Sequence, residues 1–121
     1  MDKIIISDLK LFGYHGVNPE EKRDGQNFYL DVTAFLDLSR ACRSDDLEDT
    51  VSYAKIIKTA AAHFNDEAFD LIERAAQHLA DVIFAEFPAI AALEITLKKP
   101  EAPIRAAFGC VAVEIRRERH G

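Results

Sequence analysis

The sequence has only two cysteines, Cys42 and Cys110, and they form neither a metal-binding nor a redox spacing. Both read as reduced thiols, which argues against a small secreted scaffold held by disulfides. No apolar run approaches the roughly 20 residues of a membrane helix. The opening residues, Met1 to Ile6, lack the long apolar region and small-residue cleavage site of a signal peptide. Positive charge is also scarce: 15 Lys and Arg stand against 21 Asp and Glu, a formal net charge of −6. Phosphate contacts need clustered basic side chains, so this balance argues against a nucleic-acid partner. The best basic run, Arg116-Arg117-Glu118-Arg119, reads as a solvated tail. There is no repeat, no low-complexity stretch and no linker. The expectation is a soluble cytoplasmic protein whose residues 1–121 form one domain with a respectable core.

Several chemistries are missing as well. The four histidines, His15, His63, His78 and His120, fall at no standard ligand spacing, which argues against a catalytic zinc site. No Ser or Cys lies in a nucleophile motif. The glycines of Gly13-Tyr14-His15-Gly16 fit neither a dinucleotide fingerprint nor a phosphate loop.

What is present is a clear alternation of strands and helices. Lys3 to Phe12 reads as a strand whose alternation slips between Ile6 and Leu9, predicting a bulge near Ser7-Asp8. Gly13 to Glu21 reads as a loop. Gln26 to Leu38 is the clearest strand, with Phe28, Leu30, Val32, Ala34, Leu36 and Leu38 in strict period two. Tyr29 and Phe35 on its other face suggest that this face is partly covered. Arg40 to Asp49 is polar and acidic, a predicted loop. Ser52 then caps a helix whose buried face is Ile56, Ile57, Ala60, Ala61 and Phe64. Leu93 to Lys98 and Ala106 to Arg117 read as the last two strands, joined by a loop stiffened by Pro100 and Pro103.

The second helix opens on Asp70-Leu71-Ile72-Glu73. Asp70 is the expected N-cap and Glu73 the N3 residue of a capping box. Ile72, Ala75, Ala76, Leu79, Ile83 and Phe87 form one apolar face, which ends near Pro88. A carboxylate beside the free amides of a helix start suits a flat ring with a guanidine-like edge next to a carbonyl. Glu73 acting only as a cap is the plainer reading. Other candidates lie in loops: Tyr14, His15, Glu20, Glu21, Tyr53 and Lys99, although taken singly most read as solvated or half-buried residues, and Lys99 is the most interesting. Consecutive extended residues point to opposite faces, so Lys98 and Lys99 cannot share one environment; a lysine facing inward can have its pKa lowered by desolvation.

The order strand, strand, helix, helix, strand, strand predicts an α+β domain: an antiparallel four-stranded sheet with two helices on one face. Long strands in so small a sheet leave exposed edges, and pairing them with copies of the same chain predicts a symmetric homo-oligomer.

Four stretches carry a family resemblance along essentially the whole chain. They are Gly13-Tyr14-His15-Gly16 with Glu21, Asp49-Thr50-Val51-Ser52-Tyr53, Leu71-Ile72-Glu73-Arg74, and Lys99-Pro100. In this order the sequence resembles the dihydroneopterin aldolases, folate-pathway enzymes of the tunnelling fold (T-fold). The resemblance implies a β-β-α-α-β-β unit assembled as a tetrameric ring, stacked in pairs into an octamer, with active sites between subunits. It implies that Glu73 binds the pterin's guanidine-like edge, helped by backbone groups near Ile72 and Val51. It implies that Lys99 is the principal general acid/base, that Glu21 orients Lys99 or a water and contacts the substrate side chain, and that Tyr53 arrives from the neighbouring subunit to pack on or hydrogen-bond the substrate and assist proton delivery. Glu20 is also a carboxylate, so the choice of Glu21 rests on spacing. Tyr14, His15 and Val17 would shape the pocket. No metal or other cofactor is expected, because a dihydropterin supplies its own electron sink. Related readings are a pterin epimerase or oxygenase, or a ring protein that binds pterin without turnover. A pyruvoyltetrahydropterin synthase type would need a zinc triad of histidines, which the spacing does not suggest.

Overall fold

The computed structural model describes residues 1–120. Strands β1 (Asp2–Gly13), β2 (Gln26–Leu36), β3 (Ala92–Lys99) and β4 (Val111–Glu118) form one antiparallel sheet in the order β1-β2-β3-β4. Two helices, α3 (Tyr53–His63) and α4 (Ile72–Glu86), follow short helices α1 (Pro19–Asp24) and α2 (Ser39–Ser44) in the chain. The long helices cover one sheet face, as period two on β2 requires. Phe28, Leu30, Val32, Ala34 and Leu36 are all buried beneath Ile56, Ala60, Ala76, Leu79 and Ile83. Among the described residues no helix is long and apolar enough to cross a membrane. Cys42 and Cys110 are free and exposed.

The opposite sheet face is half-covered by long side chains. Arg116 lies 4.6 Å and Lys3 5.5 Å from the Phe35 ring centre, contacts of the cation–π kind. The bulge falls where the alternation slips, between Ile6 and Leu9. Asp8 there has φ 53°, and its N–H donates to Asp31 Oδ1 at 2.7 Å. Lys98 closes the corner with ion pairs of 2.9 Å to both Asp8 and Asp31.

Local expectations fail in five places. The Gly13–Glu21 loop contains the start of α1, begun by Asn18-Pro19, and the Asn18 N–H donates to Glu21 Oε1. The Arg40–Asp49 loop holds most of α2 and a short 3-10 turn, Leu47–Asp49. β2 stops at Leu36 because Asp37 Oδ1 takes the Ser39 N–H and turns the chain into α2. β4 starts at Val111, not Ala106, since pairing with β3 ends at Lys99. Ala61 is exposed; the buried side of α3 is Ile56 and Ala60, continued by Phe64. Ser52 does cap α3, its Oγ accepting from the Lys55 N–H at 3.4 Å.

His15 is fully buried, packed among the rings of Phe28, Phe64 and Phe69. Its Nδ1 accepts from the Phe69 N–H at 3.0 Å, so the neutral ring carries its proton on Nε2, which donates to the Phe64 carbonyl at 2.9 Å. The ring thereby ties the chain after β1 to the α3–α4 connection. Burial lowers its pKa from 6.5, against the pull of the Phe64 hydrogen bond and with help from the charges of Lys22, Lys99 and His78. A second ring proton would set donor against donor at Phe69. The unfolded chain therefore takes up a proton that the folded chain refuses. This contribution to stability is full above pH 6.5 and falls as the pH drops below it, by up to about 1.4 kcal/mol per pH unit. We expect urea unfolding at pH 7.5 and 5.5 to show a larger acid loss for the wild type than for His15→Leu. Equal losses would refute the assignment.

Candidate active site

The cleft is built from the ends of apolar rows. On β3 the row Leu93, Ile95, Leu97 continues in phase to Lys99, so Lys99 emerges on the helix side. On β2 the row that includes Phe28 begins with Gln26, also on that side and buried. α1 carries Glu21 to the same point. The Glu21 carboxylate is 7% exposed and pairs directly with Lys99 Nζ, itself on a side chain 12% exposed. Gln26 Nε2 donates to Glu21 Oε2 at 2.8 Å. Burial alone would push the Glu21 carboxyl up. Hydrogen bonds from Lys99, Gln26 and the Asn18 N–H, together with the lysine's charge, outweigh it and hold the carboxyl below its usual range. Gly16, at φ 155°, makes room for this group: a Cβ there would lie 2.3 Å from the Glu21 carboxyl carbon.

Glu73 faces this cluster across a cleft of about 300 Å³, whose lining includes Val17, Glu21, Ile72, Glu73, Lys99 and Ile104. It stands one residue inside α4, whose N-cap is Leu71, not Asp70. Asp70 is drawn away by an ion pair with Lys22 at 2.8 Å. Among the described residues no side chain caps the helix, and the first turn closes with Arg74 N–H to Leu71 O. The amides of Ile72 and Glu73 thus precede the helix's own hydrogen bonding and sit at the cleft wall beside the Glu73 carboxylate. Acceptor and donors are side by side, the arrangement that a planar amidine-carbonyl edge requires.

Glu21, Ile72, Glu73 and Lys99 are brought together; Val51 and Tyr53 are not. Tyr53 opens α3 and is 66% exposed, and Val51 lies near Lys55, Glu86 and Phe87, where α4 ends. α3 and α4 run in opposite directions across a short connection. Tyr53 and Glu73 therefore stand at opposite ends of the helix pair, separated by about 15 Å of helix. Glu20 is exposed, whereas Glu21 is buried in the cluster. Tyr14 is at the surface against Phe12, ring centres 5.6 Å apart. Gln26 escaped the sequence reading, and its buried Oε1 has no partner among the described residues. Its signal was present: a polar residue in phase with the buried row of β2.

A four-stranded antiparallel sheet, two helices on one face and a carboxylate at the start of the second helix define a T-fold protein. A uricase from Bacillus fastidious shares the fold, with a TM-score of 0.67 at 12% identity; this chain covers 44% of it and is itself covered to 98%. At such identity the likeness concerns the fold alone. The model of the dihydroneopterin aldolase family matches residues 4–116. A dihydroneopterin aldolase of Methylorubrum extorquens is 42% identical over 98% of this chain and 91% of its own length. The Escherichia coli dihydroneopterin aldolase, solved in complex with neopterin, superposes with a TM-score of 0.88 at 34% identity, over 97% of this chain and 99% of that one. This chain belongs to the dihydroneopterin aldolase family. It is an enzyme, a carbon–carbon lyase of the retro-aldol type in folate biosynthesis.

Proposed function

We propose that this single domain of residues 1–121 acts in the cytoplasm on 7,8-dihydroneopterin, releasing glycolaldehyde and 6-hydroxymethyl-7,8-dihydropterin, and that it also epimerises C2′. The observation that carries the reading is the convergence of Glu73, Lys99 and Glu21 on one cleft. Glu73 accepts hydrogen bonds from the pterin's 2-amino and ring N–H groups. The Ile72 and Glu73 amides supply donors for the ring carbonyl. This anchor turns the C6 side chain toward Lys99.

The reaction needs an electron sink beside the bond that breaks. Many aldolases provide one as a lysine Schiff base or a metal. In the dihydropterin the C6=N5 imine fills that role once N5 is protonated. Lys99, oriented by Glu21, serves the proton traffic through an ordered water. The 2′-hydroxyl loses its proton, the C1′–C2′ bond breaks, and its electrons pass into the ring to give an enamine. Protonation of that enamine at C1′ gives the product. If the glycolaldehyde turns over before it leaves, recombination gives the epimer. Gln26, donating to Glu21 Oε2, holds that carboxylate in place beside Lys99.

One chain supplies only part of the site. Tyr53 and Val51 reach a Glu73 cleft when a second copy sets the start of its α3 against it. Unpaired edges at β1 and β4 and exposed apolar side chains such as Ile5 and Val111 support that assembly, a tetrameric ring stacked into an octamer. The test is anaerobic incubation with 7,8-dihydroneopterin and excess chelator, followed by chromatography. We expect glycolaldehyde and the hydroxymethyl product, with a minor epimer. Epimer alone would move the assignment to an epimerase. Tight pterin binding without products would leave a non-catalytic ring protein.

A further inference from the structure

Away from the cleft, three ligand-bearing side chains meet where α3 ends and α4 begins. Asp66, in the connection, has its Oδ2 2.7 Å from His63 Nδ1 and 2.8 Å from His78 Nε2. The ligand atoms all lie within 4.8 Å of one another. Histidine spacing along the chain gave no hint of this, because His63 and His78 are joined only by the reversal of direction between two helices. None of the three lines the cleft of Glu73 and Lys99.

The geometry points to a binding site for a divalent transition cation of the zinc and cobalt class, held by His63, Asp66 and His78. Two imidazole nitrogens and one carboxylate are the donors such borderline cations take, at about 2.0–2.2 Å. Ligand atoms around one tetrahedral ion stand about 3.3 Å apart. The carboxylate oxygen is now closer than that to both nitrogens, so it must retreat by about 0.5 Å while the imidazoles close on the ion. His63 and Asp66 are partly exposed, which leaves them the freedom to do so and leaves a fourth position for water. Each imidazole gives up the proton on its bridging nitrogen, to solvent or to its other ring nitrogen, and presents a lone pair there instead.

The site has a mechanical meaning in this fold. A bound ion would join the last turn of α3, the connection and the second turn of α4 at one point. The same connection carries Phe69, which stacks on His15 at 5.6 Å and leans on His78 at 5.4 Å, and it leads to Glu73. The ion therefore stiffens the segment that delivers the pterin anchor, without touching the reacting groups. Aldol cleavage in excess chelator is compatible with it.

Cobalt(II) is the probe, because its visible absorption reports ligand type and coordination number. The protein is first stripped with chelator, and Cys42→Ser and Cys110→Ser are introduced so that exposed thiols bind none of it. We expect one equivalent of cobalt per chain, visible bands of a low-coordinate nitrogen and oxygen site, and a higher unfolding temperature. His78→Gln and His63→Gln keep a polar side chain at each position. Each should weaken cobalt binding by more than the ~10–100-fold that loss of a second-shell partner causes. Circular dichroism of the metal-free variants confirms that they fold. No stoichiometric binding, or the same spectrum and affinity in both variants, would overturn the site.

Discussion

Replacing Lys99 with alanine lowers kcat for dihydroneopterin cleavage by about 10²- to 10⁴-fold, the range for a lost general acid–base group. Pterin affinity is expected to change little, because the proposed anchor is Glu73 at the opposite wall of the cleft. Stability has to be tracked alongside. Lys99 and Glu21 form a nearly buried pair, and stranding one member of such a pair costs about 3–5 kcal/mol unless it is neutralised. Glu21 then loses the hydrogen bond and charge that hold its carboxyl low, and its pKa rises. Single-turnover kinetics at a temperature well below the measured unfolding transition separates the two effects. A kcat within about threefold of wild type would remove Lys99 from the proton path.

Glu73→Ala and Tyr53→Ala are each expected to be almost inactive, and their equimolar mixture, co-refolded from denaturant, to recover activity. In the proposed binding mode Glu73→Ala removes a pair of charge-assisted hydrogen bonds worth about 1.5–3 kcal/mol each, so pterin binding is expected to weaken by about 10²- to 10⁴-fold. Tyr53 lies at the far end of the helix pair, so in the proposed assembly its loss damages a neighbour's cleft. When the two variants mix randomly in a ring, about a quarter of the contacts join an intact Glu73 cleft to an intact Tyr53 edge. Recovery near that level is the signature of a site shared between chains. If each chain held a whole site, both partners would stay defective and no mixture would recover.

The elements that the sequence made legible are those whose signal is periodic. Phe28 to Leu36 alternates without interruption, and the strand is there in register. The phase slip between Ile6 and Leu9 located the bulge, because a two-residue period records any extra residue as a flip of faces. Lys98 and Lys99 separated as their neighbours on a strand must, one to the Asp8–Asp31 corner and one to the cleft. Short helices were missed because six residues show less than two turns of any period. Asp70 had the right chemistry for a cap, but Lys22 competes for its carboxylate, a partner 48 positions earlier that no local window contains. The meeting of His63 with His78 was hidden for the same reason. Site roles came from the resemblance, whereas the clustering of Glu21 with Gln26 and Lys99 came only with the fold.

The loop between β3 and β4 has a consequence for how this enzyme can change. Residues 100–110 carry Ala102, Pro103 and Ile104 to the cleft wall, yet they add nothing to the pairing of the two strands. Among the described residues nothing packs within 4 Å of a side chain added at Gly109. Loop length carries only a slowly growing entropic penalty, and the anchoring carboxylate and the lysine stand on regular elements outside the loop. Variation can therefore accumulate here while sheet, helices and reacting groups stay fixed. If the cleft binds a pterin as proposed, a lineage can retune which pterin side chains it accepts by exchanging one surface segment, keeping its chemistry while it explores new substrates.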